Sequence, residues 1–63
     1  MKTYVEYVYE IVKNDTEGVD AIYRDYIIQI VGVYGFNALY DARLLEGCGS
    51  VNARELYVLV DLK

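Results

Sequence analysis

The chain contains no proline, no tryptophan and no histidine, and its single cysteine is Cys48. One cysteine cannot form a disulfide within the chain, and without histidine a zinc cluster has no plausible set of ligands. The absence of proline removes the usual marker of a domain boundary, and 63 residues are enough for one domain, residues 1–63. We therefore expect a single domain without metal or cofactor, which depends on its apolar core and on partner subunits for stability.

Basic residues are also scarce. Six Lys and Arg stand against ten Asp and Glu, which gives a net charge of −4. Binding to phosphates requires the opposite sign of charge, so nucleic acid is not the expected partner. No apolar run approaches the roughly 18 residues of a membrane helix, and the start, where Lys2 is soon followed by Glu6, does not resemble a signal peptide. We expect a cytoplasmic protein that does not associate with membranes.

Apolar residues are abundant: they make up 56% of the chain and include eight tyrosines. The longest helical pattern covers residues 19–34, where apolar residues recur with a period of 3.6. The predicted buried face consists of Ile22, Tyr23, Tyr26, Ile27, Ile30, Val33 and Tyr34. Asn14, Asp15 and Thr16 are suitable residues to cap the start of this helix, and Ile28 falls opposite its apolar face.

Two segments alternate with the period of a strand. In residues 3–13, the set predicted to face the helix is Val5, Tyr7, Tyr9 and Ile11, and the outward set includes Tyr4, Val8 and Val12. In the last strand, the predicted inward set is Leu56, Val58, Val60 and Leu62, and the outward set includes Tyr57 and Leu59.

The segment between these elements admits two interpretations. The favoured one places a short helix at about residues 36–42, then a strand from about 43 to 51 and a hairpin turn at Asn52 and Ala53. In the other, the helix continues through Glu46 and stops at Gly47. The predicted fold is α+β, a two-layer domain with one main helix on a short antiparallel sheet, in the order β-α-short α-β-β or, alternatively, β-α-α-β.

The residues that could carry chemistry are few. Cys48 lies between two glycines, but a catalytic thiolate needs a nearby base, and the chain has no histidine to supply one. Carboxylates such as Glu6 and Glu10 are interpreted as solvated charges on a strand. We therefore expect no enzymatic activity, and no catalytic or cofactor-binding residues.

The predicted outer face of the sheet is apolar at its centre and acidic at its rim, which is typical of an interface. The predicted interface consists of Tyr4, Val8, Val12, Tyr57 and Leu59 on the sheet and Ile28 on the helix. The function expected from this pattern is a protein–protein interaction module that forms a homodimer. The acidic charge also favours a basic protein partner, as in an inhibitor or adaptor of a nucleic-acid-handling enzyme from a mobile element.

One segment resembles a known family. Its residues are Leu39, Ala42, Leu44, Leu45 and Glu46, then a glycine-containing turn, then Arg54, Leu56, Tyr57 and Leu59. This run is similar to the end of the recognition helix and the wing hairpin of winged-helix regulators, which implies DNA binding as the alternative function. In that family two shorter helices come before the wing, whereas a long strand and one helix are predicted here. Residues 36–41, which correspond to the recognition helix, include no basic residue.

Overall fold

The computed structural model describes residues 1–61 and contains two helices and three strands. The elements are α1 (Tyr4–Asp15), β1 (Ile22–Tyr23), α2 (Arg24–Asp41), β2 (Leu45–Val51) and β3 (Arg54–Leu59). The strands form one antiparallel sheet in the order β1-β3-β2, so β3 is central. Two helices packed on a small antiparallel sheet confirm the predicted α+β class.

The first element is a helix, and the predicted strand at residues 3–13 is wrong. Thr3 and Glu6 form a capping box: the Glu6 N–H donates to Thr3 Oγ1 at 3.1 Å, and the Thr3 N–H donates to Glu6 Oε1 at 2.9 Å. The buried residues Val8, Tyr9 and Val12 follow helical spacing. Because apolar side chains occupy most positions from 4 to 12, the segment fits the period of a strand and the period of a helix equally well. The capping box stabilises the helix.

The main helix lies further along the chain than predicted. Asn14 and Asp15 belong to the end of α1, where Thr16 caps the helix by donating its N–H to the Val12 carbonyl at 2.9 Å. The chain then passes through β1 before α2 begins at Arg24. The predicted helix at residues 19–34 therefore overlaps α2 only in part, and its N-terminal third forms a loop and a short strand.

A break at Gly32 divides α2 into two halves. Gly32 has φ 79° and ψ 172°, a conformation essentially restricted to glycine. The C-terminal half, residues 33–41, accounts for the short helix predicted at residues 36–42. It turns the buried residues Phe36 and Leu39 toward the core.

The hairpin follows the prediction. The structure ends α2 at Asp41, starts β2 at Leu45, and turns at Asn52 and Ala53, whose φ angles are 53° and 65°. Two successive residues with positive φ make the type I′ turn that matches the twist of a hairpin. Cys48 is the extra residue of a bulge, because the ladder shifts register between Gly47 and Gly49.

The core lies between the helices and one face of the sheet. Its buried apolar residues are Val8, Tyr9, Val12, Ile22, Ile27, Phe36, Leu39, Leu44, Leu45 and Tyr57. The ring of Tyr57 meets that of Phe36 edge to face, with centroids 5.2 Å apart. The predicted faces of the last strand are thus reversed, since Tyr57 and Leu59 point inward. Leu62 lies outside the described residues.

Two differences from the winged-helix family were predicted, a long first strand and a single helix before the recognition segment. Neither is present, because residues 4–15 form a helix and Gly32 divides α2 in two.

We expect Gly35→Ala to destabilise the fold. A Cβ at Gly35 would lie 2.6 Å from Val31 Cβ and 3.5 Å from Val8 Cγ1, at the crossing of α2 and α1. Overpacking of this kind costs about 1–3 kcal/mol, and each 1 kcal/mol lowers the Tm of so small a domain by roughly 4–8 °C. Thermal unfolding followed by circular dichroism measures the change.

Gly47→Ala is the matched control. A Cβ there meets only Tyr57 Cε1 at 3.8 Å, which is an ordinary contact, and its φ is not positive. Its Tm should stay close to that of the wild type. Equal losses in the two variants would contradict a collision between the added methyl group and Val31.

Candidate interaction surface

Three of the predicted interface residues are buried in the core. Val8, Val12 and Tyr57 are only 3%, 0% and 9% exposed, so the prediction that they form an outer surface is wrong. Leu59 and Ile28 are partly buried and pack against the same core, although Ile28 was expected to be exposed. Tyr4, which is 54% exposed, is the one member of the predicted set that lies on the surface.

The outer face of the sheet is nevertheless apolar, with other residues. Because side chains alternate along a strand, the inward Tyr57 places Leu56 and Val58 of the central strand on the opposite face. Leu56 is paired with Tyr23 of β1, and all three side chains are partly buried. The Arg54 guanidinium lies over the Tyr23 ring, 3.9 Å from its centroid, and its Nε donates to Asp25 Oδ2 at 3.4 Å. A basic side chain thus already covers part of this face.

The C-terminal half of α2 presents a second exposed surface. Val33 is 56% exposed and Tyr34 is 86% exposed, although both were predicted to be covered. Asn37 and Asp41 are also exposed along this half-helix. No Lys or Arg lies between residues 33 and 41, so the surface is aromatic and weakly acidic.

Helix α1 adds a row of apolar residues beside its core-facing side. Tyr4 and Tyr7 are 54% and 59% exposed, and Ile11 is partly buried. Their spacing of three and four residues places them on one flank of the helix. Tyr7 and Ile11 were predicted to face the core and do not, because α1 is a helix.

The exposed tyrosines lie on two helices that contact each other. Val8 meets α2 at Gly35, and on each helix a tyrosine comes just before the contact residue, Tyr7 on α1 and Tyr34 on α2. Tyr4, Tyr7, Ile11 and Tyr34 are called the tyrosine surface below.

Two other tyrosines have hydroxyl groups that are held by carboxylates. Tyr26 donates to Asp15, and this hydrogen bond raises the pKa of Tyr26 above its ordinary value of 10.0. Tyr57 donates to Glu55 Oε1 at 2.8 Å, which likewise raises the pKa of Tyr57. At the start of α1, the Thr3 backbone N–H lowers the pKa of Glu6. The Tyr26–Asp15 pair joins α2 to α1, Tyr57 and Glu55 are two residues apart in β3, and Thr3 and Glu6 cap the start of α1.

The described part of the chain contains no cluster of His, Cys, Asp and Glu that could hold a metal ion. Cys48 is exposed on the edge strand β2. No helix within residues 1–61 is long and apolar enough to span a membrane. The chain matches no protein family model, no curated protein and no solved structure at a significant level of similarity.

The signal that would have located the tyrosine surface was present in the sequence. Thr3 and Glu6 have the spacing of a capping box, directly before an apolar run. Reading residues 4–12 with the helical period puts Val8 and Val12 in the core and Tyr7 on the surface. The exposure of Tyr34 could not be found in this way, because it depends on the break at Gly32.

The two tyrosine–carboxylate pairs predict a selective response to alkaline pH. The hydrogen bonds to Asp15 and Glu55 raise the pKa values of Tyr26 and Tyr57 in the folded state. The stability that these two hydrogen bonds contribute is therefore fully present below the ordinary tyrosine pKa of 10.0. It is lost as the pH rises through the raised pKa values of the folded state. NMR titration of ¹³C-labelled tyrosine rings measures each pKa. Glu55→Gln should lower the pKa of Tyr57 and leave that of Tyr26 unchanged.

Asp15→Asn should do the reverse, so each variant serves as the control for the other. A Tyr57 pKa that does not respond to Glu55→Gln would show that the hydroxyl–carboxylate hydrogen bond is not its cause.

Proposed function

We propose that this chain is a small protein–protein interaction module that associates with itself. The observation that carries the proposal is the exposure of large aromatic side chains on helices: Tyr34 is 86%, Tyr7 59% and Tyr4 54% exposed. Tyrosine is enriched at protein interfaces because it combines a large apolar ring with a hydroxyl that can bond at the rim.

The charge distribution supports a protein partner over DNA. In the winged-helix order the C-terminal half of α2 corresponds to the recognition helix, and its exposed residues include no cation. Several cations elsewhere have aromatic or acidic partners: Arg24 lies 5.2 Å from the Phe36 ring centroid, and Arg54 contacts Tyr23 and Asp25. Phosphates that bind Arg24 or Arg54 would therefore compete with these contacts.

The acidic charge allows a second class of protein partner. A net charge of −4 attracts a basic protein. Enzymes that act on nucleic acids have basic surfaces, so an acidic inhibitor or adaptor of such an enzyme is a second candidate function. Association of that kind weakens as salt is added, whereas association through tyrosines depends little on salt.

The alternative is a winged-helix-like DNA-binding regulator, which the order of elements favours. The fold alone does not determine function, because one fold supports many functions. The two functions differ in whether the C-terminal half of α2 contacts DNA bases or another protein.

We expect the wild-type chain to self-associate reversibly. Sedimentation equilibrium from about 10 to about 500 µM covers the range in which small interfaces assemble. The apparent mass should rise above the 7.2 kDa of one chain as concentration increases. A mass that remains at one chain throughout this range would refute self-association.

We also expect no measurable binding to random duplex DNA. Fluorescence anisotropy at roughly 50 mM salt measures this, because electrostatic binding to DNA is strongest at low salt. Proteins that bind DNA non-specifically reach Kd values of about 10⁻⁴ to 10⁻⁶ M even at physiological salt. Asn37→Lys with Asp41→Lys, which adds cations to the exposed half-helix, is the comparison. Binding by the wild type that falls steeply with salt would favour the DNA-binding alternative.

A further inference from the structure

We infer that a cleft beside the start of α2 binds a small organic cation, in which an ammonium, amidinium or guanidinium group is joined to an apolar body. The cleft lies between the end of α1, the loop at residues 16–21, β1 and Arg54 at the start of β3. Its lining residues belong to one chain, so the site is independent of self-association.

The size and the lining of this cleft are those of a ligand site. Its volume is about 400 Å³, and most of its lining is apolar. The apolar residues are Val19, Ala21, Ile22, Tyr23 and Tyr26. Sites for small ligands measure about 300–1,000 Å³ and combine apolar and aromatic walls with a few polar groups. Val19 and Tyr26 are 56% and 40% exposed, so an apolar body in the cleft would cover surface that is now in contact with water.

Asp15 provides the polar group that would orient a cation. Its Oδ2 accepts the hydrogen bond from the Tyr26 hydroxyl, which holds the carboxylate at the wall of the cleft. Its Oδ1 has no hydrogen-bond or ion-pair partner among residues 1–61. An ionised carboxylate accepts hydrogen bonds at both oxygens. An N–H group of the ligand can therefore bind Oδ1 while Tyr26 keeps its bond to Oδ2.

The charges around the cleft favour a cation over an anion. Residues 15–25 contain four carboxylates and one cation, which are Asp15, Glu17, Asp20, Asp25 and Arg24. Arg24 lies 5.2 Å from the Phe36 ring centroid, and Arg54 on the lining is paired with Asp25. An anionic ligand would meet more carboxylates than available cations, whereas a cationic ligand offsets part of the local negative charge.

A guanidinium already occupies the rim of the cleft in the way that we expect of a ligand. Arg54 lies over the Tyr23 ring, 3.9 Å from its centroid, and its Nε donates to Asp25 Oδ2 at 3.4 Å. An aromatic ring and a carboxylate together are a favourable environment for such a group. Tyr26 and Asp15 offer the same two kinds of group to a second cation, on the other side of the cleft.

Two other clefts among the described residues lack this combination. The cleft beside Tyr40 is lined by charges of both signs, from Asp41, Arg43 and Glu46. The cleft beside Tyr9 has a volume of about 200 Å³, which is below the usual size of a ligand site.

The experiment compares three ligands of nearly the same shape, of which benzamidinium is a cation, benzamide is neutral and benzoate is an anion. Each is titrated into the ¹⁵N-labelled chain and followed by NMR. We expect benzamidinium to shift the amide resonances of residues 19–23 and of Tyr26 with a millimolar Kd, and to leave those of Tyr34 and Cys48 in place. Benzamide should bind about fivefold more weakly, because it lacks the attraction of a cation for the carboxylate and the rings. Benzoate should not saturate the cleft.

Asp15→Asn tests the role of the carboxylate. The variant removes the charge and keeps an oxygen that can accept from Tyr26, so it should bind benzamidinium about fivefold more weakly and benzamide as the wild type does. Asp41→Asn changes the net charge equally at the other end of α2 and should stay within about twofold of the wild type. Equal losses for benzamidinium and benzamide in Asp15→Asn would show that Asp15 only maintains the shape of the cleft. Benzamidinium that produces no saturable shift would refute the site and leave self-association to be judged by sedimentation.

An arginine side chain of a protein is another source of a cation with an apolar stem. The peptide acetyl-Gly-Arg-Gly-amide presents this group and should bind more weakly than benzamidinium, because more rotatable bonds become ordered. If the peptide shifts the same resonances with the lower Kd, the assignment to a small molecule is wrong and the cleft receives a side chain of a protein partner.

Discussion

The fold depends on the change of direction of α2 at Gly32 and on the absence of a side chain at Gly35. A side chain at Gly35 would collide with Val31, and the break at Gly32 is what brings these two residues of one helix so near each other. The break also turns the C-terminal half of α2 so that Phe36 and Leu39 reach the core. The position of this half-helix therefore depends on glycine at two positions three residues apart, Gly32 and Gly35.

The parts of the fold that the sequence predicted correctly have short-range causes. Asn52 tolerates positive φ, and it lies just before a segment with the period of a strand, so the hairpin turn could be located from residues close together in the chain. The short helix predicted at residues 36–42, which falls in the C-terminal half of α2, had a helical pattern of its own. Neither prediction required knowledge of what these segments pack against.

The errors have a common physical origin, which is that apolar side chains occupy both possible faces of an element. In β3, Leu56 and Val58 could serve as the inward set as well as Tyr57 and Leu59, so alternation alone did not determine the face. The choice is made by distant partners: Tyr57 pairs with Ile22 across the sheet and contacts the Phe36 ring. Residues 4–12 posed the same problem, and there the capping box held the missing information.

Apolar residues on both faces of these elements made the buried face hard to predict. The same surplus of apolar residues leaves aromatic side chains at the surface, where they bear on function. A monomer of this size buries one side of α1 and one face of its sheet, and the remaining aromatic residues stay at the surface. The C-terminal half of α2 carries Tyr34, Asn37 and Asp41 at its surface, and no Lys or Arg lies between residues 33 and 41. Charge and aromatic content can change on exposed positions without altering the core residues that specify the fold.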